Sequence, residues 1–127
     1  MIKTFIPPNP EFGRYKKELK DLYEACQERI CDPNNFDFIV NNTLFYAFTT
    51  ITGKLIGALY YFKEGERLYV NGFGARGNFK EKIESLKTSL DWFNCDIYAE
   101  AQNRASALCL LKAGFKRVRD KLFVYTK

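Results

Sequence analysis

The sequence predicts an α/β (α+β) fold: a mixed, mostly antiparallel sheet with helices on both faces and one βαβ crossover. Three observations predict it. Apolar side chains recur at helical spacing over residues 12–30 and 79–93; the stretch from 36 to 73 breaks into short β-rich runs joined by tight turns; and strand, helix and strand then succeed one another within about thirty residues. With 127 residues, 46% hydrophobic and 17% aromatic, the chain has the length and apolar content of one domain spanning 1–127.

After a short extended start, Asn9, Pro10 and Glu11 supply an N-cap, a first-turn proline and an acid matched to the helix dipole. Phe12, Tyr15, Leu19, Leu22, Tyr23, Cys26 and Ile30 then form one apolar face, and Asp32, Pro33, Asn34 and Asn35 end the helix. Four strands are expected next, Phe36 to Val40, Thr43 to Ile51, Leu55 to Phe62 and Arg67 to Phe73, joined as an antiparallel meander by short turns. In the second and third of these both alternate faces are apolar, so the sheet needs cover on both sides.

Phe79, Ile83, Leu86, Leu90 and Phe93 step by four, three, four and three, with Asn78 placed to cap and Glu81 three residues on. Cys95 to Ala101 follows as a strand, and the connection is a right-handed crossover between parallel neighbours. Asn103 caps a short helix that runs through Ala113 and stops at Gly114, and Phe115 to Arg119 pairs with Leu122 to Tyr125 around Asp120-Lys121.

The chain contains no histidine. A Ser/His/acid triad, an imidazole base and a His-ligated metal are therefore excluded, and no metal site is expected. The four cysteines form no CxxC pair and read as free thiols. With no run of about twenty apolar residues, neither a membrane span nor a signal peptide is expected, and the expected compartment is the cytoplasm. Twenty Lys and Arg against fifteen Asp and Glu leave a charge of +5, suited to an anionic partner such as a phosphate-bearing cofactor.

Two segments carry chemistry. Gly72-Phe73-Gly74-Ala75-Arg76-Gly77-Asn78 leaves a strand and enters the strong helix, so converging backbone N–H groups, the helix start and the charges of Arg76, Lys80 and Lys82 suit a phosphate. Further on, Asn103 opens an alanine- and leucine-rich helix of just over two turns that ends in Gly114-Phe115 and a hairpin. This arrangement resembles the C-terminal half of the GNAT N-acetyltransferases, and the element order extends the resemblance from about Pro10 to Tyr125.

The resemblance implies an acetyl-CoA site in the splay between the Leu68 to Phe73 and Cys95 to Ala101 strands. Backbone near Asn71, Gly72 and Phe73 would pair with pantetheine and polarise the thioester carbonyl. Gly74, Arg76, Gly77 and Asn78 would hold the pyrophosphate, and Asn103 would contact the pantetheine arm. A small-molecule or protein amine would attack the thioester directly, with no covalent intermediate. This sequence departs from the family pattern at two places. Counted from Arg76, the small positions of the family's phosphate loop fall on Phe79 and Glu81. Leu110 stands where many members carry a tyrosine that donates a proton to the leaving thiolate. Glu100 is the candidate general base, with Tyr98 and Tyr125 behind it; Cys109 would act as a nucleophile only if a helix terminus or a lysine lowered its pKa.

Two other readings compete with the transferase. One keeps the fold without turnover, as in small phage-encoded GNAT-like proteins that serve structural or interaction roles. The other is a small nucleic-acid binder using Lys112, Lys116, Arg117, Arg119 and Lys121; these residues read more simply as the solvated face of a hairpin, and nucleic acid is not the expected partner.

Overall fold

The computed structural model describes residues 2–127. Its chain begins with strand β1 (Ile2–Phe5), helix α1 (Pro10–Ile30), helix α2 (Phe36–Asn42), and strands β2 (Leu44–Thr50), β3 (Leu55–Glu64) and β4 (Arg67–Gly74). Helix α3 (Phe79–Leu90), strand β5 (Ile97–Glu100), helix α4 (Arg104–Ala113) and strands β6 (Lys116–Arg119) and β7 (Leu122–Tyr125) complete it. The strands form one sheet in the order β1-β2-β3-β4-β5-β7-β6. Every neighbouring pair is antiparallel except β4 and β5, which are parallel and joined by α3. Among the described residues no helix is long and apolar enough to cross a membrane.

Strand periodicity sends alternate side chains to opposite faces and builds two cores. Phe45, Ala47, Ala58, Tyr60 and Phe73 meet α1 and α2, through Phe12, Leu19, Tyr23, Phe36 and Ile39. On the other face Val70, Ile97, Ala99 and Phe123 meet α3 and α4, through Leu86, Leu90, Leu110 and Ala113. The expected cover on both faces is present.

Helix ends follow local chemistry. Asn9 Oδ1 accepts from the Glu11 N–H at 2.9 Å and Pro10 opens α1, whose last turn closes on Cys31 in the left-handed region. Asn103 Oδ1 accepts from the Ser106 N–H at 2.8 Å to start α4, and Gly114, at φ +106, ends it. The β6–β7 turn is carried by Asp120 at φ +45.

Two expectations are corrected. Phe36 to Val40 is not a strand but the body of α2: Asn35 Oδ1 accepts from the Phe38 N–H at 2.8 Å, Asp37 sits in the first turn, and Phe36 and Ile39, three apart, go down together. Phe38, which a strand would place on the face of Phe36, is instead 47% exposed. Asn78 precedes α3 but does not cap it with its side chain; its backbone is left-handed at φ +52, next to Gly77 at φ +79, whereas the side-chain caps Asn9 and Asn103 have the extended backbone such a cap requires. In addition, α3 stops at Leu90, and Phe93 reaches the core from beyond the helix, its ring 4.3 Å from that of Tyr61. The strand expected from Cys95 is shorter, Ile97–Glu100.

Candidate functional site

The parallel pairing of β4 and β5 is brief. Leu68 stands opposite Ile97 and Tyr69 opposite Tyr98, and beyond them the two strands part. β5 leaves with β7, its line continued by the Ala101 N–H bond to the Lys121 carbonyl at 2.9 Å. β4 stays with β3 through to Gly74, opposite Gly57. A wedge opens between them, and its β4 side presents backbone rather than side chains. A Cβ on Gly72 would lie 2.6 Å from Leu59 Cδ2, one on Gly74 would lie 2.7 Å from Lys82 Cε, and one on Gly57 would run into the Phe73 carbonyl. At these three positions neighbouring atoms already stand where a Cβ would be, so only glycine fits and the strand edge stays bare backbone.

The wedge holds a cavity of about 260 Å³. Cys26, Arg29 and Ile30 of α1 wall it on one face of the sheet; Lys82, Ser85 and Leu86 of α3 and Ser106, Cys109 and Leu110 of α4 wall it on the other. Two contacts bind the last turns of α1 to the site. Asn103 Nδ2 donates to the Arg29 carbonyl at 3.4 Å, and Cys26 Sγ faces the Gly74 carbonyl at 3.8 Å. Within α1, Arg29 Nη2 donates to Cys26 Sγ at 3.2 Å.

Of the residues singled out in the sequence, Asn71, Gly72, Phe73, Gly74, Glu100, Asn103 and Leu110 line this cavity. The Asn103 side chain is already engaged at both ends, as the α4 cap and on Arg29. Leu110 is 7% exposed and belongs to the core as well as to the cavity wall. Glu100 supplies the one carboxylate among the described lining residues. Arg76 and Gly77 are exposed on the loop from β4 to α3, outside the lining. Asn78 is half-buried there, and its Nδ2 is buried with no hydrogen-bond partner among the described residues. Tyr98 is not brought to the cavity. It sits where the strands are still paired, its ring 5.8 Å from that of Tyr69 and 4.4 Å beneath the Arg67 guanidinium.

Cys26, Arg29, Ser85 and Ser106 had no place in the sequence-derived site. The helical phase of α1 puts Cys26 and Ile30 on the apolar stripe, which marks them as inward-facing, but only the tertiary packing shows that this turn covers a wedge. Burial pushes the Cys109 thiol up, and the nearby Lys82 ammonium opposes that only in part, so at neutral pH the group is a protonated thiol rather than a nucleophilic thiolate.

No family model matches the chain, and no curated protein matches it. Solved structures do. Over 99% of both chains it superposes, with a TM-score of 0.64 and 12% identity, on a GNAT-family acetyltransferase from Staphylococcus aureus Mu50. The aminoglycoside 6'-N-acetyltransferase of Enterococcus faecium gives a TM-score of 0.65 at 14% identity, over 99% of this chain and 96% of that one. The protein has the GNAT acetyltransferase fold. A further aminoglycoside 6'-N-acetyltransferase, solved in complex with coenzyme A, shares that GNAT fold at a TM-score of 0.62 and 14% identity, over 99% of this chain and 96% of its own.

Proposed function

We propose that the protein is an N-acetyltransferase that moves an acetyl group from acetyl-CoA directly to an amine. The observation that carries this reading is the wedge between β4 and β5, with the unpaired edge of β4 along one side and a cavity at its centre. The coenzyme A complex of the aminoglycoside acetyltransferase supports the choice of donor. The residues present fit such a ligand. The β4 edge that β5 leaves unpaired suits the amide-bearing pantetheine arm, and the unpartnered Asn78 Nδ2 is a donor suited to a phosphate oxygen.

Bound acetyl-CoA would supply the acetyl group as a thioester, already activated toward an amine. The chain does the rest. Gly74, Arg76, Gly77 and Asn78, at the positive end of α3, hold the pyrophosphate, with Lys82 adding charge from the first turn. The β4 edge at Asn71, Gly72 and Phe73 aligns the arm and polarises its carbonyl. Asn103 and Leu110 flank it from α4, and the Glu100 carboxylate takes the proton from the attacking amine. Tyr98, at the closed end of the wedge, supports the strands rather than touching the reacting atoms. The acceptor is a small molecule or a protein bearing an amine, and the site of action is the cytoplasm.

A specific feature favours a second reading, in which the same fold binds a ligand without turnover. Leu110 puts a hydrocarbon where a proton donor would serve the leaving thiolate, which leaves Ser85, Ser106 and Cys109 as the hydroxyl and thiol side chains from α3 and α4 along the wall. Mass spectrometry of polyamines, aminoglycosides and lysine peptides after incubation with acetyl-CoA separates the two. Acetylated amine that Glu100→Gln reduces by roughly 10² supports the transferase. Tight acetyl-CoA binding with no acetylated product from any amine class supports the second.

A further inference from the structure

β4 carries a backbone donor that its neighbours do not use in the ordinary way. Residues facing each other across an antiparallel pair alternate between exchanging hydrogen bonds and exchanging none. The Ala75 N–H bond to the Ile56 carbonyl, 2.9 Å, sets the phase of that alternation along β3 and β4. Gly72, opposite Leu59, therefore falls at a non-bonding position, and its N–H points away from β3 toward the gap that β5 has vacated. In a continuous sheet the next strand would accept it. Here the acceptor is the side chain of the preceding residue, with Asn71 Oδ1 at 2.8 Å from the Gly72 nitrogen. Both residues line the cavity.

We propose that the Asn71 carboxamide is a displaceable stopper on the open edge of β4, one that holds the Gly72 N–H until a carbonyl oxygen of the bound acyl-CoA takes its place. The inference rests on the acyl-CoA reading above and adds to it a residue that sets affinity. The Asn71 bond spans a single residue and ties no two elements together, so rotation of one side chain breaks it without disturbing the fold. It also satisfies a donor that would otherwise face a largely apolar wedge. A ligand carbonyl offers the Gly72 N–H the same acceptor, and binding is then an exchange of one bond for another. The stopper thus lowers the net gain of any ligand that reaches this edge, and leaves unaffected a ligand that stops at the phosphate loop.

Removing the stopper should tighten the site. Calorimetric titration of the full chain and of Asn71→Ala with acetyl-CoA should show the variant binding roughly three- to ten-fold more tightly, the range of one modest hydrogen bond. ADP, which carries a pyrophosphate but no acyl or amide carbonyl, should bind both proteins equally. Asn71→Leu, which keeps the side-chain bulk but has no acceptor, guards against an effect of lost packing and should also tighten acetyl-CoA binding. Amide exchange at Gly72 gives a readout independent of ligand: slow in the parent protein, fast in Asn71→Ala. Acetyl-CoA affinity unchanged or weakened in both variants, with binding by the parent intact, overturns the stopper and leaves the acyl-CoA reading standing. Absence of acetyl-CoA binding by all three proteins overturns that reading and the stopper's role with it, whatever the Gly72 exchange shows.

Discussion

Thr49 is completely buried on β2, and its hydroxyl has no hydrogen-bond partner among the described residues. It lies where the β2–β3 register shifts, Phe48 facing Gly57 and Thr49 facing Leu55, so the strand geometry that would have brought an acceptor is interrupted. A buried, unsatisfied hydroxyl costs free energy, and an isosteric apolar replacement removes the cost. Thr49→Val should stabilise the protein by about 1 kcal/mol in urea denaturation. Tyr60 is the opposite case. Its hydroxyl donates to Asp32 Oδ2 at 2.5 Å, while Asp32 Oδ1 accepts from the Asn34 N–H and side chain at 2.9 and 3.0 Å. Burial and the Asp32 carboxylate raise the Tyr60 pKa well above its ordinary value of 10.0, and Tyr23 is raised for the same two reasons. The folded state then keeps protons that the unfolded state sheds above about pH 10, so stability is full below that pH and falls as pH rises past it. Urea midpoints measured from pH 8 to 11 should decline above pH 10. Tyr60→Phe should flatten that decline and cost about 1–3 kcal/mol at pH 8, because the buried carboxylate loses a donor.

At the scale of elements, the junction between α1 and α2 is held by side chains rather than by regular structure. The Tyr23 hydroxyl and Gln27 Nε2 both donate to the Asn34 carbonyl at 2.7 Å, and Asn35 caps the short helix that follows. Asn35→Ala should lower stability by about 1 kcal/mol, with the loss of protection confined to residues 36–42 in hydrogen exchange, because a seven-residue helix depends on its cap and on two buried side chains. The same brevity explains why α2 was read as a strand. The run Phe36-Asp37-Phe38-Ile39-Val40 satisfies a period of two as readily as a period near three and a half, and only the packing of Phe36 with Ile39 chooses. Longer elements leave no such ambiguity. The repeat of α1 runs over twenty-one residues, and α4 carries an Asn103 cap at one end and Gly114 at the other. Asn78 shows the converse limit: a capping residue in the right place carries no signal about a left-handed backbone.

In the whole molecule, the candidate site arises because one strand pair in a seven-stranded sheet stops bonding after two positions. The parallel crossover that makes this possible was legible in the order strand, helix, strand, and so were the cavity residues Asn71, Gly72, Phe73, Gly74, Glu100, Asn103 and Leu110, but not Ser106. Arg29 and Cys26 were not legible as wall residues, since they lie 38 and 41 positions before the start of β4 and meet it only when α1 packs across β3 and β4. Charge on the two faces should matter at this scale. Lys82 reaches the cavity, and Arg76 is exposed on the loop from β4 to α3. Lys82→Ala should weaken acetyl-CoA binding roughly ten-fold, the loss shrinking as salt rises, because an exposed or half-buried ion contact is screened. Every role proposed for these residues requires that the wedge receive an acyl-CoA. Isothermal titration with acetyl-CoA, run on the parent chain and on Cys109→Phe, which fills the cavity from α4, tests this most directly. Saturable one-to-one binding to the parent and loss of binding to the variant are expected; no heat from the parent at millimolar acetyl-CoA, or equal binding to both, would overturn the acyl-CoA site.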